Sequence, residues 1–245
     1  MANDSRTAQE PEREKVWQMF NRIAGRYDLL NHLLSFGQDI RWRKKVVDVL
    51  PGGADLHILD LATGTGDQLI YLVSQTDKIK QAVGIDLAVD MINIGKKKIK
   101  KSGLHALISL EEGDAEHISY DTNLFDLTTI TFGIRNVTNV SRVLSEMYRV
   151  LKTGGRTVIL EFSLPENIWL QKIYLFYFRY ILPLAGGIIS GDNDAYRYLN
   201  KTVETFPYGE EFCALIRSAG FQNVKSISLT FGIATLYYGD KLPIS

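Results

Sequence analysis

Residues 58–67 read Ile58-Leu59-Asp60-Leu61-Ala62-Thr63-Gly64-Thr65-Gly66-Asp67, and this stretch decides the fold of the 245-residue chain. An apolar run ends on an acid, a turn with two glycines follows, and an amphipathic segment then begins. This order predicts a strand, a tight turn and a helix, which form the first unit of a nucleotide-binding α/β fold. Gly64 and Gly66 let the backbone turn sharply and approach a ligand closely, because neither has a Cβ.

A second acid follows at the end of the next apolar run. Gln81-Ala82-Val83-Gly84-Ile85 precedes Asp86, which comes twenty residues after Gly66. We expect Asp86 at the carboxyl edge of the neighbouring strand, where a carboxylate can accept both hydroxyls of a ribose. The pattern therefore predicts a cofactor that contains a nucleoside.

The glycine turn also limits which cofactor is bound. A dinucleotide fingerprint needs a third glycine, and Leu69 stands at that position. No GxxxxGK(S/T) segment occurs, which excludes a P-loop. Asp60 suits a ligand with positive charge, and S-adenosylmethionine carries a sulfonium and an ammonium group. The pattern Asp-x-Ala-x-Gly-x-Gly resembles the first motif of Rossmann-like methyltransferases.

The composition fits a soluble enzyme and argues against several other classes. Lysine plus arginine and aspartate plus glutamate both total 28, so no net field favours nucleic acid as a partner. Cys213 is the single cysteine, which excludes an intrachain disulfide and argues against a cysteine-based metal site. The polar start of the chain resembles neither a signal peptide nor a membrane anchor, so we expect a cytoplasmic protein without a metal.

Apolar runs alternate with helical patterns, which predicts a parallel sheet with helices on both faces. The predicted strands cover residues 58–61, 81–85, 106–110, 127–131 and 157–160, followed by an antiparallel pair at 224–229 and 233–238. A helix is predicted over residues 140–151 and a turn over residues 152–155. Val16, Met19, Phe20 and Ile23 recur at helical spacing, which predicts a helical N-terminal extension.

The same patterns suggest how the chain is divided. We expect residues 1–14 to be disordered and residues 15–245 to form a single domain. Within that domain, residues 15–50 form a helical cap, and residues 165–206 form an insertion that covers the active site.

Longer motifs resemble the ubiquinone/menaquinone biosynthesis C-methyltransferases of the UbiE/MenG type. They follow one another in order from near residue 16 to near residue 241, so the resemblance covers almost the whole chain. The motifs are residues 27–37 with Arg41-Trp42, Gly113-Asp114-Ala115-Glu116, residues 131–137, Tyr148-Arg149-Val150-Leu151-Lys152, Leu160-Glu161-Phe162-Ser163, Tyr196-Arg197-Tyr198-Leu199, Phe206-Pro207, Ala219-Gly220-Phe221 and residues 229–233.

The resemblance implies a Rossmann-like class I S-adenosylmethionine-dependent methyltransferase. Its α/β fold has a seven-stranded, mostly parallel sheet with an antiparallel last strand. The implied reaction is C-methylation of a polyprenyl quinol ring in menaquinone or ubiquinone biosynthesis. The substrate is then demethylmenaquinol or 2-methoxy-6-polyprenyl-1,4-benzoquinol.

Carried over position by position, the resemblance also implies the site residues. Asp86 takes the ribose hydroxyls, Asp114 and Ala115 meet the adenine, and Thr131 lines the methionine end. The implied cofactor-binding residues are Asp60, Gly64, Thr65, Gly66, Asp86, Asp114, Ala115 and Thr131. Those implied for the wall of the substrate pocket are Tyr27, Asn31, Tyr196 and Tyr198.

Arg135 and Asn136 follow the fourth strand, and we predict that they are catalytic. A guanidinium at Arg135 can stabilise a phenolate or orient a water that acts as base, and Asn136 can orient the hydroxyl. The alternative for Arg135 is a structural ion pair with a nearby carboxylate.

Residues 168–189 are rich in aromatic side chains. Gln171, Lys172, Arg179 and Pro183 argue against a membrane span. We expect this segment to accept an isoprenoid tail or to enter the surface of a bilayer, on the inner face of the cytoplasmic membrane. A buried helix or a homodimer interface is the alternative.

Two other functions remain open from the sequence alone. An O- or N-methyltransferase of the same fold would share the cofactor motifs, and a non-catalytic nucleoside-binding assembly protein would not need Arg135. A nicotinamide-dependent oxidoreductase is disfavoured by Leu69.

Overall fold

A computed structural model describes residues 15–182, 184 and 193–243 of the chain. Seven strands form one sheet in the order β3-β2-β1-β4-β5-β7-β6. The strands are β1 Leu56–Leu61, β2 Ile79–Asp86, β3 Ile108–Glu112, β4 Phe125–Thr131, β5 Leu151–Phe162, β6 Gln222–Leu229 and β7 Ala234–Asp240.

The first five strands are parallel, and β7 runs antiparallel between β5 and β6. This arrangement confirms the predicted seven-stranded α/β sheet and its antiparallel end. The strand order changes direction between β1 and β4. In open α/β sheets, ligands bind outside the carboxyl ends of the strands at such a switch point.

Two predictions about the strands need correction. The predicted strand at 106–110 lies two residues later, at Ile108–Glu112. The predicted turn at 152–155 is wrong, because β5 already begins at Leu151. There the Gly154 N–H donates to the carbonyl of Lys241 (2.7 Å), and the Lys241 N–H donates to the carbonyl of Gly155 (2.9 Å). Pairing with a distant segment thus keeps the glycines in the strand, where Gly154 adopts a φ of 87°.

Helices cover both faces of the sheet and its carboxyl edge. Their bounds are α1 Val16–Leu34, α2 Gln38–Val47, α3 Asp67–Gln75, α4 Val89–Lys101, α5 Val140–Val150, α6 Ile168–Phe176, α7 Asn193–Thr205 and α8 Glu210–Ser218. A 3₁₀ turn, Ile134–Asn136, follows β4, and a π-helical turn, Tyr177–Ile181, extends α6. The predicted helix at 140–151 corresponds to α5 and is confirmed.

Strand β1 shows why the apolar runs form a sheet that is buried on both sides. Leu59 belongs to a core with Leu144 of α5, whereas Ile58 belongs to a separate core with Leu72 of α3. Successive side chains of a strand point to opposite faces, so a nearly continuous apolar run fills both cores.

The N-terminal extension forms a third apolar layer. Val16, Met19 and Ile23 of α1 pack in one cluster with Tyr174 and Phe178. This cluster confirms the helical spacing predicted for α1. The predicted disorder of residues 1–14 lies outside the described residues, and the division into one domain with a cap and an insertion stays a prediction. Among the described helices, none combines the length and apolarity needed to cross a membrane.

Helix α4 approaches the glycine turn closely at Gly95. A Cβ built on Gly95 would lie 2.8 Å from the carbonyl oxygen of Thr65. We therefore expect Gly95→Ala to lower the free energy of unfolding by about 1–3 kcal/mol, since an added methyl group must displace backbone. Gly25→Ala in α1 is the control, because its Cβ meets nothing within 4 Å and alanine is favoured in a helix by roughly 0.5–1 kcal/mol. Urea unfolding of both variants measures the difference, and equal stabilities would contradict the close approach.

Candidate active site

The glycine turn connects β1 to α3 at the switch point of the sheet. Gly64 and Gly66 have φ values of 58° and 76°, in the left-handed region that favours glycine. The Thr63 N–H donates to the carbonyl of Ile85 (3.0 Å), which fixes the turn against β2. Gly64 lies in the wall of a cleft of about 390 Å³.

Asp86 holds this turn through its side chain. Its Oδ2 accepts a hydrogen bond from the Gly64 N–H (2.8 Å), and its Oδ1 accepts one from the Ala88 N–H (2.8 Å). Burial raises the pKa of the Asp86 carboxyl, although these hydrogen bonds oppose the shift. Asp86 also lies in the wall of the cleft, so one carboxylate both shapes the turn and borders the cleft.

The third and fourth strands bring further predicted residues to the same cleft. Asp114, Ala115 and Thr131 all line it. The Asp114 carboxylate accepts the Glu116 N–H (2.8 Å) and pairs with His117 Nδ1 (3.0 Å). The sheet thus collects Gly64, Asp86, Asp114, Ala115 and Thr131 at one edge, as the strand ends predicted.

Asp60, Thr65 and Gly66 lie beneath the cleft and do not belong to its lining residues. Asp60 accepts hydrogen bonds from the hydroxyls of Thr63 (2.7 Å) and Thr129 (2.6 Å), and burial raises its pKa to about 6. The Thr65 hydroxyl donates to Asp28 Oδ1 (2.6 Å) on α1. These contacts hold the turn and α1 together, and a role for the three residues in cofactor binding stays a prediction.

Part of the cleft wall comes from α1, which sequence reasoning missed. Val16, Trp17 and Phe20 line the cleft beside Leu87 and Met91. The helical spacing of Val16 and Phe20 predicted an apolar face of α1, but it did not indicate what that face would contact.

A second cavity of about 490 Å³ adjoins the cleft. Four residues line both spaces, namely Phe20, Tyr27, Phe132 and Asn136. Most of the wall is apolar and comes from α1, α2, α6 and the end of β5, including Met19, Ile23, Trp42, Phe162, Leu170, Ile173, Tyr174 and Phe178. The predicted pocket residues Tyr27, Asn31 and Tyr198 lie in this wall, whereas the side chain of Tyr196 lies outside the described residues.

Arg135 lines the apolar cavity but already has a carboxylate partner. Its Nη1 donates to Glu161 Oε1 (2.6 Å) and to the Phe132 carbonyl (2.6 Å), and both charged side chains are buried. Its guanidinium carbon lies 5.1 Å from the centroid of the Phe162 ring. The structure therefore contains the ion pair that was the alternative for Arg135, while the same side chain still faces the cavity.

Several polar atoms buried at this cavity have no hydrogen-bond partner among the described residues. They are Nε of Arg43, Nε of Arg135, Oδ1 of Asn136 and Oη of Tyr174. Buried polar atoms are normally paired, so four residues of this wall each retain capacity for a further hydrogen bond. Arg43 and Tyr174 were not predicted, because neither belongs to a motif with a known chemical role.

Burial raises the pKa values of Tyr27 and Tyr174 at this cavity, since the charged phenolate is disfavoured away from water. Both side chains therefore remain neutral near pH 7 and act as hydrogen-bonding groups.

The cleft fits S-adenosylmethionine on chemical grounds. Asp86 offers a carboxylate for the ribose, Asp114 and Ala115 offer an acceptor and a backbone N–H for adenine, and Gly64 leaves room for close approach. A nucleoside cleft at this switch point, next to a separate apolar cavity, defines a class I methyltransferase.

The family model described as the ubiE/COQ5 methyltransferase family matches residues 8–241, and the chain belongs to this family. It is 45% identical over 228 residues to the ubiquinone/menaquinone biosynthesis C-methyltransferase UbiE of Geotalea uraniireducens, covering 93% of this chain and 97% of that protein. It is 43% identical to the demethylmenaquinone methyltransferase of Bacteroides fragilis, covering 93% of each.

The fold also matches a solved S-adenosylmethionine-dependent methyltransferase from Thermotoga maritima. The TM-score is 0.64 at 21% identity, over 92% of this chain and 99% of that one. Together these matches confirm the predicted family, the Rossmann-like fold, the enzyme class and the cofactor. The chain is an S-adenosylmethionine-dependent methyltransferase of the ubiE/COQ5 family.

We expect Asp86→Asn to weaken the binding of S-adenosylhomocysteine by at least about tenfold, because a hydrogen bond to a charged acceptor contributes about 1.5–3 kcal/mol. Asp90→Asn is the control, since it removes the same charge from an exposed position in the first turn of α4. Isothermal titration calorimetry measures both affinities. Equal affinities would remove Asp86 from the cofactor site.

Proposed function

We propose that this chain transfers a methyl group from S-adenosylmethionine to a ring carbon of a polyprenyl quinol. Demethylmenaquinol is the preferred substrate, since menaquinone occurs in the names of both relatives above. A benzoquinol with the same type of tail is the second candidate.

The observation that carries the proposal is the contact between two unlike spaces. The nucleoside cleft and the apolar cavity share Phe20, Tyr27, Phe132 and Asn136. A methyl donor on one side therefore faces an apolar acceptor on the other. Alignment of two reactants in this way supplies about 7–11 kcal/mol of the barrier in well-oriented systems.

The cavity also fits the two ends of a quinol. Its apolar wall suits the ring faces and the start of an isoprenoid tail, which gain from leaving water. The unpaired atoms of Arg135, Asn136 and Tyr174 suit the ring hydroxyls. A ring without hydroxyls would leave these buried atoms unpaired, which costs about 1–3 kcal/mol for each group.

When bound, S-adenosylmethionine supplies an electrophilic methyl group. The acceptor must then be the reduced quinol, because the ring of an oxidised quinone is itself electrophilic. Loss of a proton from one hydroxyl raises the electron density at the adjacent ring carbon. Since phenols titrate near ~10, the site must favour the ionised form to work at neutral pH.

Arg135 and Asn136 act on this hydroxyl. Arg135 Nε donates a hydrogen bond to the ring oxygen, while Glu161 holds the guanidinium in place through Nη1. Asn136, at the boundary of the two spaces, orients the hydroxyl with its free Oδ1. Arg135 therefore has both a structural and a catalytic role. Its ion pair with Glu161 fixes the guanidinium, and the Nε–H of the same group donates to the substrate.

Removal of Arg135 alone would leave Glu161 as a buried unpaired charge, which destabilises proteins by about 3–5 kcal/mol. We therefore compare Arg135→Gln/Glu161→Gln, which removes both charges together, with the wild type, and we check its fold by thermal unfolding. The double variant should lose about 10²–10³-fold in kcat, since one preorganised donor is missing. Affinity for S-adenosylhomocysteine should be the same in both proteins. Equal turnover of the two proteins would make Arg135 purely structural.

The tail has an apolar route to the surface. Leu170 and Ile173 of α6, and Phe36 and Phe231 beside them, line the cavity and are also exposed. Farther out on α6, Trp169 and Phe176 are exposed by 70% and 58%. Large exposed apolar side chains grouped on one helix mark an interaction site. We assign it to a bilayer surface, where a lipid quinol resides, and we propose the inner face of the cytoplasmic membrane as the location of the protein.

We expect Trp169→Ser/Phe176→Ser to reduce binding to phospholipid vesicles and to lower kcat/KM for long-tailed quinols more than for short-tailed analogues. Both side chains lie outside the cavity wall, so the ring site is retained. Leu107→Ser/Leu124→Ser is the control, since these exposed residues precede β3 and β4 at the opposite edge of the sheet. Vesicle sedimentation and steady-state kinetics measure the effects. A lower oligomeric state with unchanged vesicle binding would instead assign the surface to a homodimer.

A further inference from the structure

Two buried arginines line the apolar cavity, and they differ in how their charge is balanced. The guanidinium of Arg135 forms an ion pair with Glu161. Arg43 of α2 is also buried, with 9% of its surface exposed. Within residues 15–182, 184 and 193–243, no carboxylate oxygen lies within 4.0 Å of an Arg43 nitrogen.

The contacts of Arg43 are weak. Its Nη1 donates a long hydrogen bond of 3.5 Å to the neutral Gln68 amide, and its Nε has no partner. The guanidinium carbon lies 5.7 Å from the ring centroid of Phe132, one of the residues shared by the cleft and the cavity. Arg43 therefore places a positive charge near the point where the two spaces meet.

The acids nearest to Arg43 are bound to other groups. Asp39, one turn earlier on α2, pairs with His32 Nδ1 (2.6 Å) and accepts the Ser35 hydroxyl (2.7 Å). Asp60 accepts the hydroxyls of two threonines beneath the glycine turn. Arg43 lowers the pKa of Asp60 only as a lesser influence, against a larger rise caused by burial.

A buried cation without an anion is unfavourable, so its presence calls for an anion that arrives with the ligand. On the proposed function, the quinol supplies that anion when its hydroxyl ionises. An opposite charge within about 4–6 Å favours the ionised form of an acid. We propose that Arg43 pairs with the phenolate oxygen of the bound quinol and carries the positive charge for the reaction, while Arg135 serves as a fixed hydrogen-bond donor.

The quinol O–H bond breaks, its proton passes to water, and the remaining electron pair makes the ring a phenolate paired with Arg43. The ring carbon forms a bond to the methyl group, while the C–S bond of the sulfonium breaks and leaves neutral S-adenosylhomocysteine. The ring carbon then loses its own proton to water, and the oxygen takes one proton back. One proton is released per turnover.

A binding experiment tests the charge pairing without turnover. The probes are 2-hydroxy-1,4-naphthoquinone, which is an anion at neutral pH, and the neutral 1,4-naphthoquinone. Arg43→Gln should weaken the anion about 10–100-fold, as expected for the loss of a hydrogen bond between charged groups, and should change the neutral probe by less than about threefold. Arg43→Lys should restore much of the preference for the anion. Lys44→Gln is the control, because it removes one exposed positive charge from the same helix.

A pH profile of kcat tests the catalytic consequence. Arg43→Gln should lower kcat by about 10²–10³-fold at pH 7, and the deficit should shrink toward higher pH as solvent ionises more of the quinol. The other titratable or charged groups at or behind the cavity wall are Tyr27, His32, Asp39, Asp60, Arg135, Glu161, Tyr174, Tyr177 and Tyr198. The wild type and the variant share all of them, so the difference between their profiles reports on Arg43.

Folding is checked by thermal unfolding. Arg43→Gln should unfold at the same temperature as the wild type or higher, because the variant no longer buries an unpaired charge. Equal weakening of both probes, or a deficit in kcat that does not change with pH, would overturn the proposal. A wild type that prefers the anion but methylates no quinol would instead reject the proposed function and keep the anion site.

Discussion

The attachment of α1 to the glycine turn is the interaction on which both ligand spaces depend. Asp28 of α1 accepts the Thr65 hydroxyl (2.6 Å) and forms an ion pair with Lys98 of α4 (2.6 Å). Lys98 also pairs with Asp67 at the start of α3. This partly buried network joins three helices to the turn, and it holds Phe20 and Tyr27 over the end of the sheet. Without α1 in this position, the cleft and the cavity would be open to solvent.

The sequence predicted those site residues that follow strands and missed most of those that lie on helices. Gly64, Asp86, Asp114 and Thr131 lie at the ends of strands or up to three residues beyond them. Parallel strands bring their carboxyl ends to one edge of the sheet, so these residues line the same cleft. Arg43 and Phe20 lie on helices, where spacing predicts a buried face but not its neighbour. The apolar cavity arises from packing between helices that are far apart in sequence, which no local pattern encodes.

The wrong turn at residues 152–155 and the contacts of Arg135 and Thr65 have the same origin. Glycines at 154 and 155 indicated a turn, but pairing with Lys241 held them in β5. The ion pair of Arg135 also depends on a neighbouring strand. Thr131 of β4 pairs in register with Leu160 of β5, and this pairing brings Glu161 close to Arg135. The Thr65 hydroxyl donates to Asp28 on α1, and the expected role of Thr65 at the cofactor stays a prediction. At each of these points a contact with a distant part of the chain determines the conformation, and local sequence does not encode that contact.

The two spaces meet at four residues but reach the surface in different places. The cleft is bordered by the exposed side chains of Trp17 and Leu87, and the cavity by those of Phe36 and Phe231. A water-soluble nucleoside and a lipid can therefore enter through separate openings in the protein surface. If the protein binds a bilayer as proposed, the used methyl donor can be exchanged from the aqueous side without release of the protein from the lipid. The enzyme can then methylate several quinols during one residence on a vesicle.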